Sequence, residues 1–276
     1  MIRELSALTV RELKRLVRNP QAILTGLMLP ILYLILFGQA FQFGKIYANN
    51  PEGLLVLLRG APTYFSYFAA GMAGFVSVTA TLFVGANVIF DRLFGTLKRT
   101  ASAPVGPAPI FGARLIAGCI QPIGLAFLVL GLAVLLGDVG LSGLHVTAAL
   151  SVVGVGEVFL AIVILSAMFA SLFLAIGFTI ETPQTYFAIV NAINLPVLLT
   201  SAALYPWGIL PPWLQTVASY NPITLAVEVL RENLFAGESS WYTYPAWFYL
   251  LGLMAWALAM FVIATLLAAR ALGPKK

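Results

Sequence analysis

The chain has 276 residues, of which 61% are hydrophobic and only 9% are charged, with a formal net charge of +5. Because soluble domains carry about a quarter charged residues, this composition excludes an ordinary soluble protein. Apolar runs of about 20 residues, long enough to cross a bilayer, recur along the sequence and predict an integral membrane protein. The single cysteine, Cys119, excludes an intrachain disulfide.

Residues 1–20 are the first predicted element. Their leucines fall near one face of a helix and their basic residues largely on others, which is typical of an amphipathic interfacial helix on the inner membrane surface. Pro20 is expected to end this helix. The alternative is a basic flank that only sets topology. Charge along the whole stretch, without a small-residue cleavage site, argues against a signal peptide.

Six long apolar runs follow, and they lack the two-residue alternation of barrel strands. The predicted fold is therefore an all-α integral membrane protein with one transmembrane domain over residues 1–276. The predicted spans are Gln21–Phe43, Ser66–Phe90, Ile110–Leu136, Val146–Phe178, Gln184–Leu204 and Pro245–Ala269. The fourth run is longer than a perpendicular span needs, so we expect it to tilt or to begin outside the hydrocarbon.

The distribution of basic residues predicts the orientation. Twelve of the 15 lie on the side that carries both termini, and only Lys45, Arg59 and Arg231 lie on the other side. This asymmetry predicts cytoplasmic termini in a plasma (inner) membrane protein. The excess positive charge is expected to face anionic lipid or a protein partner, since no basic stripe interleaved with aromatics indicates nucleic acid.

The segment 91–109, between the second and third spans, concentrates charge and proline. Its charged residues include Asp91, Arg92, Lys98 and Arg99, and its prolines are Pro104, Pro107 and Pro109. Proline restricts the backbone, so the segment predicts a short cytoplasmic helix joined stiffly to both spans. The alternative is an arginine-rich loop that only sets orientation, which leaves the prolines unexplained.

The segment 205–244, before the last span, combines four prolines, three tryptophans and many apolar residues, and a fifth proline, Pro245, follows it. Its apolar stretches are too short or too charged to cross a bilayer. We expect outer re-entrant helices that dip into the outer leaflet and return, because irregular backbone is tolerated there only under a cover of protein. An ordinary exposed loop is the alternative.

Residues for catalysis are missing from the sequence. The only histidine, His145, cannot build a zinc site with one cysteine, and neither an HExxH nor a GxxxxGK[ST] motif occurs. The sequence therefore predicts no catalytic residues, no metal site and no nucleotide hydrolysis by this chain.

Polar residues inside two spans fall on single helical faces. The second span carries Gly74, Ser77, Thr81 and Gly85, and the fifth carries Gln184, Asn191, Asn194 and Ser201. Such faces either pack against neighbouring helices or border a conduit. Packing is favoured for the second span, and both interpretations stay open for the fifth. Glu157 is the one acid well within an apolar run. It either contacts substrate or takes part in proton transfer, or it lies near the outer headgroups.

Four segments, in order over nearly the whole chain, carry a resemblance to a known family. They are RELKRLVRNPQAILTGLMLPILYLILFGQAF, YFSYFAAGMAG, DRLFGTLKRTASAPV and SAALYPWGILPPWLQTVASYNPITLAVEVLR. Together they resemble the membrane (permease) subunit of type-2 ATP-binding-cassette (ABC) exporters. Lys98 stands where that family usually has glutamate.

The resemblance implies a transport machine. Two ATPase subunits would bind ATP and Mg, this chain would bind no cofactor, and a second permease subunit would complete a homodimer or heterodimer. The substrate would be apolar or amphipathic, such as a drug, lipid or glycolipid. The residues expected to couple to the ATPase are Asp91, Arg92, Gly95, Thr96, Lys98 and Arg99, and those expected to line the pathway are Ser77, Thr81, Asn191 and Asn194.

Two other classes compete with this interpretation. An ion-gradient-driven secondary transporter would need an inverted repeat and a charged midplane site, for which Glu157 is the one available residue. A membrane scaffold without transport would leave the polar faces of the spans without a role.

Overall fold

The structure is a computed structural model that describes residues 6, 9–11, 14, 20–41, 46–47, 49–95, 107–138, 144–146, 151–235 and 244–272. The regular elements in these ranges are helices: α1 (Pro20–Ala40), α2 (Pro51–Leu57), α3 (Tyr64–Leu93), α4 (Pro107–Asp138), α5 (Val152–Thr179), α6 (Pro183–Leu199), a 3-10 turn (Trp207–Ile209), α7 (Pro212–Tyr220), α8 (Pro222–Phe235) and α9 (Ala246–Leu272). The predicted all-α fold is confirmed for this part of the chain.

Four helices in the described ranges are long and apolar enough to cross a bilayer. Their spanning segments are Tyr64–Leu93, Pro109–Leu136, Val152–Thr179 and Ala246–Leu267. They lie at the predicted second, third, fourth and sixth spans. At the first, the qualifying apolar stretch of α1 is only Gly26–Gly38, and at the fifth, α6 has 17 residues. The six-span architecture therefore stays a prediction, as does the orientation of the termini.

Hydroxyl side chains cap the beginnings of three helices, α3, α5 and α6. Thr63 accepts a hydrogen bond from the Ser66 N–H (3.1 Å), and Ser151 accepts one from the Gly154 N–H (2.9 Å). Thr182 does the same before α6. Such caps satisfy N–H groups that have no partner inside the helix. The Ser151 cap explains why α5 begins later than the predicted start at Val146.

The bundle is organised around α3 and α5, which lie against each other along much of their length, with α4 and α9 packed on them. Glycines bring the two backbones together. A Cβ added at Gly85 would lie 2.0 Å from the Phe173 carbonyl oxygen, and one at Gly177 would lie 2.4 Å from the Gly85 carbonyl oxygen. The close helix approach expected from the small residues of the second span is confirmed at Gly85.

The segment 205–244 contributes a buried helix to this bundle. Every residue of α8 from Pro222 to Arg231 is buried, and the helix packs on α3, α5 and α9. An ordinary exposed loop, the alternative weighed for this segment, is therefore excluded for α8. Residues 236–243 lie outside the described residues, and a dip into the outer leaflet stays a prediction.

Two other predicted segments lie largely outside the described residues. In 1–20, only positions 6, 9–11, 14 and 20 are described, and all of them are helical. In 91–109, the described parts are the end of α3 with Phe94 and Gly95, and the start of α4.

Candidate functional site

A cavity of about 660 Å³ lies between α1, α3 and α6. Its volume is within the range of roughly 300–1,000 Å³ that is typical of small-molecule sites. Its described lining consists of Gly26, Leu29, Pro30, Tyr33, Phe37, Phe41, Tyr64, Phe68, Phe75, Thr79, Ala80, Leu82, Phe83, Gln121, Leu125, Asn191, Asn194, Leu195, Leu198, Leu199, Leu204 and Tyr205. None of these described residues carries a full charge.

Aromatic rings from α1 and α3 form one wall of the cavity. The ring of Phe37 lies 5.5 Å from that of Tyr33, edge to face, and 6.3 Å from that of Phe68, nearly parallel. Phe41 meets Tyr64 at 5.2 Å. These separations are those of mutually attractive aromatic pairs, so the wall is a continuous ring surface held by two helices.

Helix α6 supplies the facing wall and two of the four predicted pathway residues. Asn191 is exposed and Asn194 is buried, and both line the cavity. The other two polar residues expected on this face do not line it. Gln184 is exposed near the start of α6, and the buried Ser201 hydroxyl donates to the Leu198 carbonyl oxygen (2.6 Å) beyond the end of the helix.

The two pathway residues predicted on the second span lie elsewhere. Ser77 and Thr81 are fully buried, and their hydroxyls donate to the carbonyl oxygens of Ala73 (2.8 Å) and Val78 (2.6 Å) within α3. They share the helix face of Gly85, which meets α5. These contacts lie within α3, and a pathway role for Ser77 and Thr81 stays a prediction. Thr79 is the α3 hydroxyl that lines the cavity.

One end of α3 joins two neighbouring helices through charges, and we call it the Asp91 end. Asp91 is buried and accepts a hydrogen bond from the guanidinium of Arg114 on α4 (2.7 Å), which is buried as well. Arg92 donates to the carbonyl oxygens of Phe178 (2.7 Å) and Ile180 (2.9 Å). A cation at the C-terminus of α5 satisfies carbonyl groups and opposes the negative end of the helix dipole.

These contacts place two of the six predicted coupling residues on partners inside the bundle. The chain leaves α3 at Gly95, whose φ of 72° lies in the left-handed region that glycine adopts readily. Thr96, Lys98 and Arg99 lie outside the described residues. A contact of any of the six with an ATPase subunit stays a prediction.

The opposite end of α3, which we call the Arg231 end, holds a buried charge cluster. Arg231 is fully buried and donates to the carbonyl oxygens of Ala202 (2.9 Å), Ala203 (2.9 Å) and Tyr67 (3.2 Å). It also donates to Glu228 (3.1 Å), and its guanidinium lies 3.4 Å from the centre of the Tyr67 ring. Three neutral acceptors, one carboxylate and a ring face thus compensate the loss of hydration of this cation.

Arg59 completes the cluster by pairing with the second carboxylate oxygen of Glu228. Its backbone has a φ of 49°, an unfavourable conformation for a residue with a Cβ. Its guanidinium lies 4.4 Å from the centre of the Trp207 ring. Burial alone would lower the pKa of Arg59, but the Glu228 carboxylate outweighs it and raises that pKa. Arg59 therefore stays cationic, and two cations share one carboxylate.

The cluster matters for the cavity because it holds the irregular backbone that closes one end of it. Leu204 and Tyr205 line the cavity, and neither is in a helix. The Tyr64 hydroxyl donates to the Leu204 carbonyl oxygen (2.9 Å), and the Tyr67 hydroxyl lies within hydrogen-bonding distance of the Tyr205 carbonyl oxygen (2.9 Å). Together with Arg231, these groups satisfy backbone that no helix satisfies.

Sequence reasoning did not identify this cluster. The distribution of basic residues predicts only that Arg231 lies on the side opposite the termini, and that orientation stays a prediction. The available signal was the spacing of Glu228 and Arg231, one helical turn apart in a largely apolar stretch. Opposite charges at that spacing lie on the same helix face and can pair.

Glu157 lies in the second turn of α5 and is half-buried. Its carboxylate accepts a hydrogen bond from the side-chain amide of Asn233 on α8 (3.0 Å). It does not line the cavity. Among the described residues, no group of histidine, cysteine, aspartate and glutamate side chains could hold a metal ion.

Comparison with known proteins identifies the family. The family described as "ABC-2 type transporter" matches residues 3–235. The chain belongs to this family. Membership of the ABC-2 family, together with the membrane-spanning helices, implies that the chain is a multi-pass membrane protein that works with an ABC ATPase.

Three relatives illustrate the range of similarity. The putative transport permease ycf38 of Porphyra purpurea is 31% identical over 233 residues, which cover 84% of this chain and 74% of the relative. The ycf38 protein of Cyanophora paradoxa is 30% identical over 242 residues, with coverages of 87% and 76%. The probable doxorubicin resistance ABC transporter permease protein DrrC of Mycobacterium tuberculosis is 24% identical over 265 residues, with coverages of 92% and 83%.

Proposed function

We propose that this ABC-2 chain is the permease subunit of an ATP-driven exporter that moves an apolar or amphipathic molecule, such as a drug or lipid, from the cytoplasm or inner leaflet. The observation that carries the substrate class is the cavity between α1, α3 and α6, whose described lining is mainly aromatic and aliphatic and includes no charged residue. An apolar site of this kind favours solutes that leave water readily. The name of the relative DrrC, which refers to doxorubicin resistance, agrees with such a substrate.

The proposed assembly contains two permease subunits, identical or closely related, above two ATPase subunits. The termini face the cytoplasm of a plasma membrane, and the residues of 91–109 contact the ATPase. ATP binding closes the ATPase dimer, which moves these segments and rocks the two bundles between inward-open and outward-open arrangements. Nucleotide drives transport because it stabilises one arrangement more than the other.

The contacts at the Asp91 end support this coupling route. The segment 91–109 begins where Asp91 is paired with α4 and Arg92 is bonded to the end of α5. A displacement of the segment would therefore act on α3, α4 and α5 together. A flexible connection would dissipate the same displacement locally.

Reconstitution with the co-expressed ABC ATPase tests the proposed function. Proteoliposomes that contain both proteins are expected to move doxorubicin in a manner that requires ATP. The control is an ATPase variant that binds but does not hydrolyse ATP. Movement driven by a proton or sodium gradient without the ATPase would contradict the proposal and favour a secondary transporter.

Two substitutions of arginine distinguish a residue that contacts the ATPase from one that bonds inside the bundle. Arg99→Glu is expected to lower substrate-stimulated ATPase activity and transport while leaving thermal stability unchanged, because docking needs the charge at a protein surface. Arg92→Met is expected to lower thermal stability as well, because its partners are carbonyl groups of the bundle. Unchanged transport in Arg99→Glu would contradict the docking role of that residue.

A further inference from the structure

Asn194 is a buried polar side chain that the fold leaves unused. It is 6% exposed and lines the cavity, and its carboxamide makes no hydrogen bond to another described residue, while its polar atoms are not among those sealed inside the bundle. Thr79, another polar residue of the lining, behaves differently, because its hydroxyl donates to the Phe75 carbonyl oxygen (3.1 Å) of its own helix. An amide that faces an apolar cavity without a protein partner favours a guest molecule that supplies one.

The rest of the lining determines what kind of guest fits. Flat rings of Tyr33, Phe37, Phe68 and Phe75 stand at 5.5–6.3 Å from one another along α1 and α3. Planar aromatic molecules can extend this packing. No cation in the described lining could neutralise a carboxylate, phosphate or sulfonate, and the arginines of the Arg231 end are held by Glu228 and backbone carbonyls.

We propose that the cavity selects flat aromatic amphiphiles without an anionic group and that Asn194 is a specificity-determining residue, which forms a hydrogen bond with the polar group of the ligand. This inference rests on the proposed function, because it takes the cavity to be part of the transport pathway. A pure hydrocarbon fits less well, since it leaves the Asn194 carboxamide unpaired. An anion also fits less well, since it enters an uncharged cavity without compensation. Sites built to hydrogen-bond a ligand group discriminate strongly against analogues that lack it.

Three probes with one ring skeleton test the inference on the intact chain in lipid nanodiscs. Phenylnaphthylamine is neutral, has two flat ring systems and carries one N–H group. Its N-methyl derivative lacks that donor, and anilinonaphthalenesulfonate carries an added anion. Radiolabelled probes are measured by scintillation proximity, with protein-free nanodiscs as the background for partition into lipid. Phenylnaphthylamine is expected to bind about tenfold more tightly than either analogue, as one satisfied hydrogen bond or one uncompensated charge implies.

Two variants assign this difference to Asn194. In Asn194→Leu, which keeps the approximate shape, the preference for phenylnaphthylamine over its N-methyl derivative is expected to disappear. Ser171→Ala is the control outside the cavity, because Ser171 does not line it and its hydroxyl donates to the Ala167 carbonyl oxygen (2.7 Å) of its own helix. This control is expected to keep the tenfold preference. Thermal unfolding of both variants checks that the bundle is intact.

Several outcomes would overturn the inference. Equal binding of phenylnaphthylamine and its N-methyl derivative to the unaltered chain would do so without any variant. Tighter binding of the sulfonate, or an unchanged preference in Asn194→Leu, would also do so. ATP-driven transport of doxorubicin together with any of these results would leave the proposed function standing. If binding depends on Asn194 but no ATP-driven transport occurs, the proposed function is contradicted, whereas the inferred binding site is supported.

Discussion

The two ends of α3 use buried charge in different ways. At the Asp91 end, one ion pair joins α3 to α4, and one arginine binds two carbonyl oxygens at the end of α5. At the Arg231 end, two arginines share one carboxylate, and Arg231 spreads its donors over backbone that is not helical. The two ends are about 36 Å apart along the helix, at roughly 1.5 Å per residue.

The difference shows what each end requires of its charges. At the Asp91 end, the Asp91–Arg114 pair joins two regular helices, and Arg92 supplies donors to two carbonyl oxygens at the end of one helix. Where α6 stops at Leu199, the carbonyl oxygens of the following turn need donors that lipid cannot supply. A buried arginine with several donors meets this need, and Glu228 makes its burial tolerable.

The largest expected effect is at Arg231. Arg231→Met leaves the Ala202 and Ala203 carbonyl oxygens without this donor, and it leaves Glu228 with one arginine instead of two. We expect a loss of about 3–5 kcal/mol in the free energy of unfolding, as is typical when one partner of a buried charge network is removed. Unfolding in mixed micelles measures it. The matched variant Arg59→Met, which keeps Arg231 in place, should lose less. Equal losses would contradict the central role of Arg231.

A smaller effect at the same end is expected from Gly71→Ala. A Cβ at this position would lie 1.8 Å from the Ala203 carbonyl oxygen, so α3 and the turn after α6 would have to separate. We expect about 1–3 kcal/mol of destabilisation, the usual range for overpacking. Gly131→Ala is the control, because a Cβ there meets nothing within 4 Å. Equal thermal stability of the two variants would show that α3 and the turn at Ala203 can move apart without loss of stability.

At the Asp91 end, we expect Asp91→Asn to lower the free energy of unfolding by about 2 kcal/mol, since a charged hydrogen bond contributes roughly 1.5–3 kcal/mol. A double-mutant cycle with Arg114→Gln isolates the pair from other effects of each change. The coupling energy should be favourable, because both side chains are buried and their atoms lie 2.7 Å apart. A coupling energy near zero would mean that the pair does not hold α3 to α4.

The smallest effect is a pH dependence near the Arg231 end. Burial raises the pKa of the Glu232 carboxyl above its ordinary value of 4.5; a hydrogen bond from the Ala246 N–H opposes this, and the nearby Glu157 and Glu228 add to it. Glu232 lies on α8, outside the four candidate spans. The folded chain therefore holds this proton more tightly than the unfolded chain. The resulting stabilisation is fully present below pH 4.5 and is lost as pH rises through the folded-state pKa.

Glu232→Gln should remove this dependence, because glutamine stays neutral. The variant is expected to be more stable than the unaltered chain at pH 7, and the advantage should vanish below about pH 4, where Glu232 is protonated in both states. Thermal unfolding across this pH range measures the difference. A variant that is less stable at neutral pH would show that Glu232 contributes as a charged group.

Part of the candidate site was accessible from the sequence, and part was not. Helical spacing places Asn191 and Asn194 on one face of an apolar run, which predicts either helix packing or a conduit, and both residues line the cavity. Ser77 and Thr81 fit the same pattern, but their hydroxyls bond to carbonyl oxygens of their own helix. An asparagine amide makes the same kind of bond elsewhere, as Asn233 does with Val229. Helical spacing alone does not separate these cases.

The sequence by itself determined the membrane class, the approximate positions of the long helices and the family, because these depend on length, apolar content and short motifs. Only the tertiary structure decided which polar groups face the cavity and which are used inside the bundle. Tyr33, Phe37 and Phe68 form one wall, and Arg231 meets Tyr67 and Ala202, through contacts between residues far apart in the chain. Such contacts depend on the packing of whole helices, which local spacing does not specify.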